Sequence, residues 1–226
     1  MATTLDTLDL DPDQTPKAVV IWMHGLGADA HDFIGLPPVL NLPTSLPVRF
    51  VFPNAPQIPV TVNGGMIMRA WYDIRGFDPL EHDETGIKES AQCINALVSR
   101  EIGRGIPAER IVLAGFSQGG ALALYAGLRY PRTLAGVICL SGYLLLDADL
   151  ERISASAVKK VPVFQAHGSE DSVVPCSIGH QCRDRLSSIG YDVEWHEYKM
   201  AHQVCENEVR DVSGWLIQVL SSSSQI

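Results

Sequence analysis

A mostly parallel α/β sheet with helices on both faces is the fold that this sequence predicts. Three observations carry the prediction. Short, continuous, β-branched apolar runs recur along the chain, as in strands buried on both faces of a parallel sheet. Stretches with helical spacing fill several of the gaps between them, giving the alternation of a doubly wound sheet. The chain has 226 residues, 46% of them hydrophobic, which is ample for a sizeable core.

The predicted strands are Ala18–Met23, Val48–Phe52, Arg110–Ala114, Leu134–Leu140, Val161–Ala166 and Asp192–Tyr198. Ile87, Ala91, Ile94, Val98 and Ile102 recur at steps of four and three and predict one helix. A second helix is expected over Gly119–Leu128. Ile178, Cys182, Leu186 and Ile189 predict a third, with Gly190 as its C-terminal stop. Val209, Val212, Leu216 and Val219 give a last amphipathic helix. Neither an internal repeat nor a long linker interrupts the chain. The expected organisation is a flexible segment over 1–16, a single α/β domain over 17–220 and a flexible tail over 221–226.

Residues 53–83 are rich in Pro and Gly and carry apolar side chains. A long irregular stretch in a compact domain is more often functional than incidental. It is read here as a substrate wall, with an excursion that covers the sheet edge as the alternative.

Bulk properties exclude several functions. The net charge of −9 repels phosphate backbones, so nucleic acid is not an expected partner. No apolar run is long enough to span a bilayer and no dense Lys/Arg run would read anionic lipid, so no stable membrane insertion is expected. The N-terminus is polar and acidic, without the basic and apolar regions of a signal peptide. The five cysteines are odd in number and lack a CxxC spacing. A reduced, cytoplasmic setting is the simplest account.

The stretch Gly115-Phe116-Ser117-Gln118-Gly119 lies between a predicted strand and a predicted helix. A G-x-S-x-G turn in that context lifts a serine hydroxyl clear of the backbone, and the helix N-terminus beyond it favours negative charge. A serine is a weak nucleophile unless a base takes its proton and an acid orients the base. In this topology the acid and then the histidine follow the serine in the chain. Asp171, in the loop after the fifth strand, is the expected acid in preference to its neighbour Glu170. His202, in the loop after the sixth strand, is the expected base in preference to His196 within that strand. His167 is expected to pack beneath the site. Backbone N–H groups of Gln118 and Leu26 are the expected oxyanion donors, Leu26 following the His24-Gly25 turn at the end of the first strand. No tight ligand spacing accompanies His24 or His31, so no metal is expected. Met66, Met68 and Trp71 are expected to line an acyl site, with buried packing as their alternative role.

The sequence resembles the phospholipase/carboxylesterase family through HGLGADAHDF at 24–33, PNAP at 53–56, PVTVNGGMIMRAWYDI at 59–74, GFSQGGALAL at 115–124, HGSEDSVVP at 167–175 and Tyr198 with His202. The likeness runs from about residue 17 to 220. It implies an α/β-hydrolase fold with no separate cap domain and no cofactor, a nucleophile at Ser117, an acid at Asp171, a base at His202 and oxyanion donors at Leu26 and Gln118. The blocks at 63–65 and 70–74 look more like the bacterial carboxylesterases of the family. The expected activity is therefore hydrolysis of short-to-medium acyl esters through an acyl-enzyme. Acyl-protein thioesterase and lysophospholipase activities use the same residues and are the alternatives. A non-catalytic binding protein on the same scaffold is the rival of another class. The expected partner is a small acyl ester or an acylated substrate, and a homodimer is compatible with the sequence.

Overall fold

The computed structural model describes residues 4–77, 80–155 and 160–221. Eleven strands occur among them: β1 Thr7–Leu10, β2 Ala18–Met23, β3 Val48–Pro53, β4 Gln57–Val60, β5 Met66–Arg69, β6 Ile74–Phe77, β7 Leu80–His82, β8 Ile111–Phe116, β9 Gly136–Leu140, β10 Val163–Gly168 and β11 Val193–Tyr198. The α-helices are α1 Leu36–Leu40, α2 Glu84–Gly103, α3 Gln118–Arg129, α4 Leu150–Ser154, α5 Cys176–Ser188 and α6 Glu206–Ser221. Seven strands form the central sheet in the order β1-β3-β2-β8-β9-β10-β11. All pairings in it are parallel except β1 with β3.

Strict alternation divides the core into two layers. On β2, Val19, Ile21 and Met23 face one layer while Ala18, Val20 and Trp22 face the other. All six are buried, which is why this strand reads as a continuous apolar run. The first layer packs the sheet against Ile87 and Ile94 of α2, Leu122 of α3 and Leu186 of α5. The second packs it against Leu40 of α1 and Val212, Trp215 and Leu216 of α6.

The strand order reverses between β2 and β8. From β2 the chain moves to β3 on one side, and β8 then begins the march through β9, β10 and β11 on the other. Loops leaving two such neighbours diverge and open a crevice at their C-terminal ends. His24 to Leu26 leave β2 at this point, and Ser117 leaves β8.

Three expectations are corrected. The segment expected to be flexible over 1–16 contains β1, which pairs antiparallel with β3 from Thr7 opposite Pro53 to Leu10 opposite Phe50. Leu8 and Leu10 alternate onto the second core layer, a pattern too short to stand out in an acidic stretch. The stretch expected to be irregular over 53–83 holds two antiparallel strand pairs, β4 with β5 and β6 with β7, and its residues 78–79 lie outside the described residues. Finally, α6 runs through Ser221, the first residue of the expected tail; residues 222–226 lie outside the described residues.

Candidate active site

The serine turn is built by close backbone packing. Gly115 lies so near Gly119 that an added Cβ would collide with the Gly119 backbone, and a Cβ on Gly119 would collide with the carbonyls of Met23 and His24. The two glycines thus let β8, the end of β2 and the start of α3 meet. Between them Ser117 adopts φ 55° and ψ −119°, a conformation sparsely populated by residues with a Cβ. Its own N–H donates to the Leu140 carbonyl at 2.8 Å and its carbonyl accepts from Ala121 at 3.0 Å. The strained turn is held from both sides.

His202 reaches the serine from the loop after β11. Its Nε2 lies 2.9 Å from Ser117 Oγ and its Nδ1 lies 2.7 Å from Asp171 Oδ2. The ring also packs on Phe116, with centroids 4.7 Å apart. Asp171 sits in the turn after β10, its carboxylate fully buried. Its Oδ1 accepts the backbone N–H groups of Val173 and Val174, each at 2.9 Å, leaving Oδ2 for the imidazole. Gly168 allows this turn to lie against the histidine loop, since a Cβ there would run into the carbonyls of Met200 and Ala201. The structure therefore brings Ser117, His202 and Asp171 into one hydrogen-bonded chain. Glu170 is exposed. His196 points elsewhere, pairing with Glu194 at 2.9 Å and stacking on Phe164.

Gln118 and Leu26, the expected oxyanion donors, share a cavity with the serine. Gln118 begins α3, so its N–H precedes any intrahelical acceptor. Leu26 lies in the turn after β2, where Gly27 N–H donates to the Arg69 carbonyl at 2.8 Å and fixes the loop against β5. Leu26, Ser117, Gln118 and His202 all line one cavity of about 730 Å³.

Beneath these groups lies a buried polar web. The Gln118 side chain accepts the Trp71 N–H at 2.9 Å and donates to the Tyr72 carbonyl at 2.8 Å. Trp71 Nε1 donates to the His24 carbonyl at 2.9 Å. His24 donates from Nδ1 to the Gly25 carbonyl at 2.7 Å and accepts the Ala55 N–H on Nε2 at 3.0 Å. Both ring nitrogens are engaged, which fixes a neutral tautomer, and burial pushes the imidazole below its usual range. His24 thus organises the Leu26 loop. His31 is exposed beside Asp29.

The expected acyl-lining residues are corrected. None of Met66, Met68 and Trp71 lines the cavity. Trp71 is 1% exposed and is spent on the web described above. Met66 is 63% exposed at the start of β5, and Met68 packs toward Gly27 and Asn63. The apolar walls come instead from Leu26, Ile74, Tyr143, Val173, Val174 and Ile178. The Val173-Val174-Pro175 run, one residue beyond Asp171-Ser172, was the available signal for them. Burial pushes the Tyr143 hydroxyl up to about 12, so it serves as a neutral hydrogen-bonding wall, bonded to Tyr72 Oη at 3.0 Å.

His167 packs beneath the acid loop. It is fully buried in β10 and donates from Nε2 to the Val174 carbonyl at 2.8 Å. Burial lowers its pKa, so the ring is a neutral tether for the loop that carries Asp171.

Comparison with known proteins adds to this geometry. Residues 10–220 match the model of a family described as Phospholipase/Carboxylesterase. Acyl-protein thioesterase 1 of Cryptococcus neoformans is 36% identical over 239 residues, covering 97% of this chain and all of that protein. Acyl-protein thioesterase 1 of Neurospora crassa is 39% identical over 213 residues, covering 90% of this chain and 87% of that one. The crystal structure of acyl-protein thioesterase 2 from Zea mays superposes with a TM-score of 0.85 at 30% identity, covering 95% of this chain and 99% of that one. Among the described residues no helix is long and apolar enough to cross a membrane.

Proposed function

We propose a specific activity for this chain, which belongs to the phospholipase/carboxylesterase family and is a serine hydrolase acting on ester bonds: it cleaves acyl thioesters on proteins, with oxyesters as slower substrates of the same site. The observation that carries the reading is the unbroken chain from Ser117 Oγ through His202 to Asp171, opening on an apolar-walled cavity. The fungal and plant relatives are named for thioester cleavage. They favour this reading over the short-chain carboxylesterase suggested by the blocks at 63–65 and 70–74.

In this mechanism Ser117 Oγ attacks the acyl carbonyl carbon as His202 Nε2 accepts its proton. Asp171 holds the imidazole with Nδ1 protonated and balances the imidazolium that forms. The Leu26 and Gln118 N–H groups receive the developing oxyanion. Collapse of the tetrahedral intermediate expels the leaving group, and His202 delivers the proton to it. A cysteine thiolate, with a thiol pKa of about 8.5, leaves far more readily than an alkoxide. Water, deprotonated by His202, then attacks the acyl-enzyme and releases the fatty acid. The cavity has the size and apolar lining suited to an aliphatic chain.

The test is a matched series of thioesters and oxyesters from acetyl to palmitoyl, with an S-palmitoylated peptide, run on wild type and Ser117→Ala. The expected result is the highest kcat/KM on long acyl thioesters and a loss of about 10⁶-fold in the variant. A maximum on short oxyesters would move the assignment to a carboxylesterase. Wild-type inactivity on every acyl substrate would remove the catalytic roles given to Ser117, Asp171 and His202.

A further inference from the structure

A second cluster of reactive side chains lies outside the catalytic cavity. Cys176 and His180 stand one turn apart at the start of α5, and Glu197 of β11 faces them. Cys176 Sγ is 3.8 Å from His180 Nε2, which is 2.9 Å from Glu197 Oε2. The ligand atoms of all three lie within 4.8 Å of one another, and Cys176 and His180 are partly buried. Sequence spacing alone does not display this trio, because Glu197 joins it only through the packing of α5 on β11.

We propose that Cys176, His180 and Glu197 form a binding site for a thiophilic divalent cation, zinc being the best match. The donors are one sulfur, one imidazole nitrogen and one carboxylate oxygen. That set suits zinc and its borderline neighbours, while calcium and magnesium require oxygen. Metal–ligand bonds of about 2.3 Å to sulfur and 2.0–2.2 Å to nitrogen and oxygen place tetrahedral ligands roughly 3.3–3.6 Å apart. The observed separations bracket that range, so rotamer adjustments within the present backbone suffice. A thiolate, a carboxylate and a neutral imidazole carry two negative charges together and neutralise a divalent ion. Three protein ligands leave the fourth position for water.

The surroundings orient the donors. His180 packs on the Trp195 ring with centroids 5.0 Å apart, and Arg183 covers that ring at 5.2 Å. The trio is not a second hydrolytic centre. Burial, with the neighbouring Glu197 carboxylate, pushes the Cys176 thiol up to about 11, so it is not a free thiolate nucleophile near neutrality. A metal ion displaces that proton on binding, as it does at other thiol ligands. The loop before Cys176 supplies Ser172, Val173, Val174 and Pro175 to the cavity wall. An ion that ties α5 to β11 therefore stiffens one side of the acyl site.

The test is titration of the reduced full-length chain with Co²⁺ as a spectroscopic probe, followed by displacement with Zn²⁺. One equivalent of Co²⁺ is expected to bind with a thiolate-to-cobalt charge-transfer band, which Zn²⁺ abolishes and Mg²⁺ does not. Cys176→Ser is expected to abolish the band. His180→Ala and Glu197→Gln are each expected to weaken binding by about 10-fold or more. All three variants change solvent-accessible side chains, and near-ultraviolet circular dichroism checks that they fold. Absence of the band in wild type overturns the site, as does a band that survives Cys176→Ser. Unchanged affinity in both His180→Ala and Glu197→Gln overturns it equally. The readout is independent of hydrolysis and stands whether or not the thioesterase reading does.

Discussion

Asp171 presents its two carboxylate oxygens to different partners: Oδ2 meets His202 Nδ1 at 2.7 Å, and Oδ1 accepts two backbone N–H groups. This division predicts the outcome of Asp171→Asn. The two amide donors hold the carbonyl oxygen of the new side chain, so its NH₂ group must face His202. The imidazole is then driven into the tautomer with Nδ1 unprotonated and Nε2 protonated, and cannot accept the serine proton. The expected loss in kcat is on the order of 10⁴-fold with little change in fold. Steady-state kinetics beside circular dichroism checks both halves. A loss under 10-fold would mean that Asp171 does not orient the base.

Gln118 carries two separable functions. Its backbone N–H borders the serine, while its side chain fastens Trp71 and Tyr72. Gln118→Ala keeps the first and deletes the second, leaving a buried donor and a buried acceptor without their partners. The expected destabilisation is about 2–4 kcal/mol, read as a lower midpoint in urea. The fall in kcat should stay below the 10²–10³-fold expected for loss of an oxyanion donor, because the N–H itself remains.

Gly119→Ala probes the packing of the turn. The added methyl meets the carbonyls of Met23 and His24, which are backbone atoms of the β2 end and cannot rotate away. Relief requires the Leu26 loop to move away from Ser117. A displacement near 1 Å is enough to lower kcat by about 10²-fold. The same substitution at Gly103, whose added Cβ meets nothing, is the control and should leave kcat unchanged.

Much of this arrangement was legible before folding, and the reason is local. The strand, turn and helix around Ser117 are contiguous, so their pattern shows in about fifteen residues. Asp171 follows the buried strand β10 and His202 follows the neighbouring edge strand β11, and strand ends in a parallel sheet converge on one edge. What stayed hidden depends on contacts between distant segments. Trp71 reads equally as an acyl-site wall or as buried packing, and only the fold shows Gln118, His24 and Ser90 reaching it from other elements. The walls expected from Met66 and Met68 come from Val173 and Ile178 because the β4–β5 hairpin turns those methionines away from the cavity. β1 escaped notice since an edge strand of four residues, half of them polar, has too little periodicity to register.

Glu208 sets the last prediction, which concerns pH. Its side chain is fully buried near the start of α6. Burial, with Asp211 adding to it and the Cys205 backbone amide opposing, pushes its carboxyl from 4.5 up to about 8. Between those values the folded chain keeps a proton that the unfolded chain releases. Stability therefore falls as pH rises from about 4.5 to about 8 and levels off beyond, by on the order of 5 kcal/mol in total. His24 and His167 act in the opposite direction. Their pKa values are lowered by burial, so below 6.5 the unfolded chain gains protons that the folded chain does not, and stability falls as the medium becomes more acidic. The two trends together place the maximum in a weakly acidic window. Glu208→Gln removes the alkaline limb while leaving the acidic one. Thermal melts from pH 6.5 to pH 9 should then show Tm declining in the wild type up to about pH 8 and flat beyond, and staying level throughout in the variant. Parallel profiles for the two proteins would mean that the Glu208 carboxyl is already ionised in the fold and that some other group governs the alkaline loss.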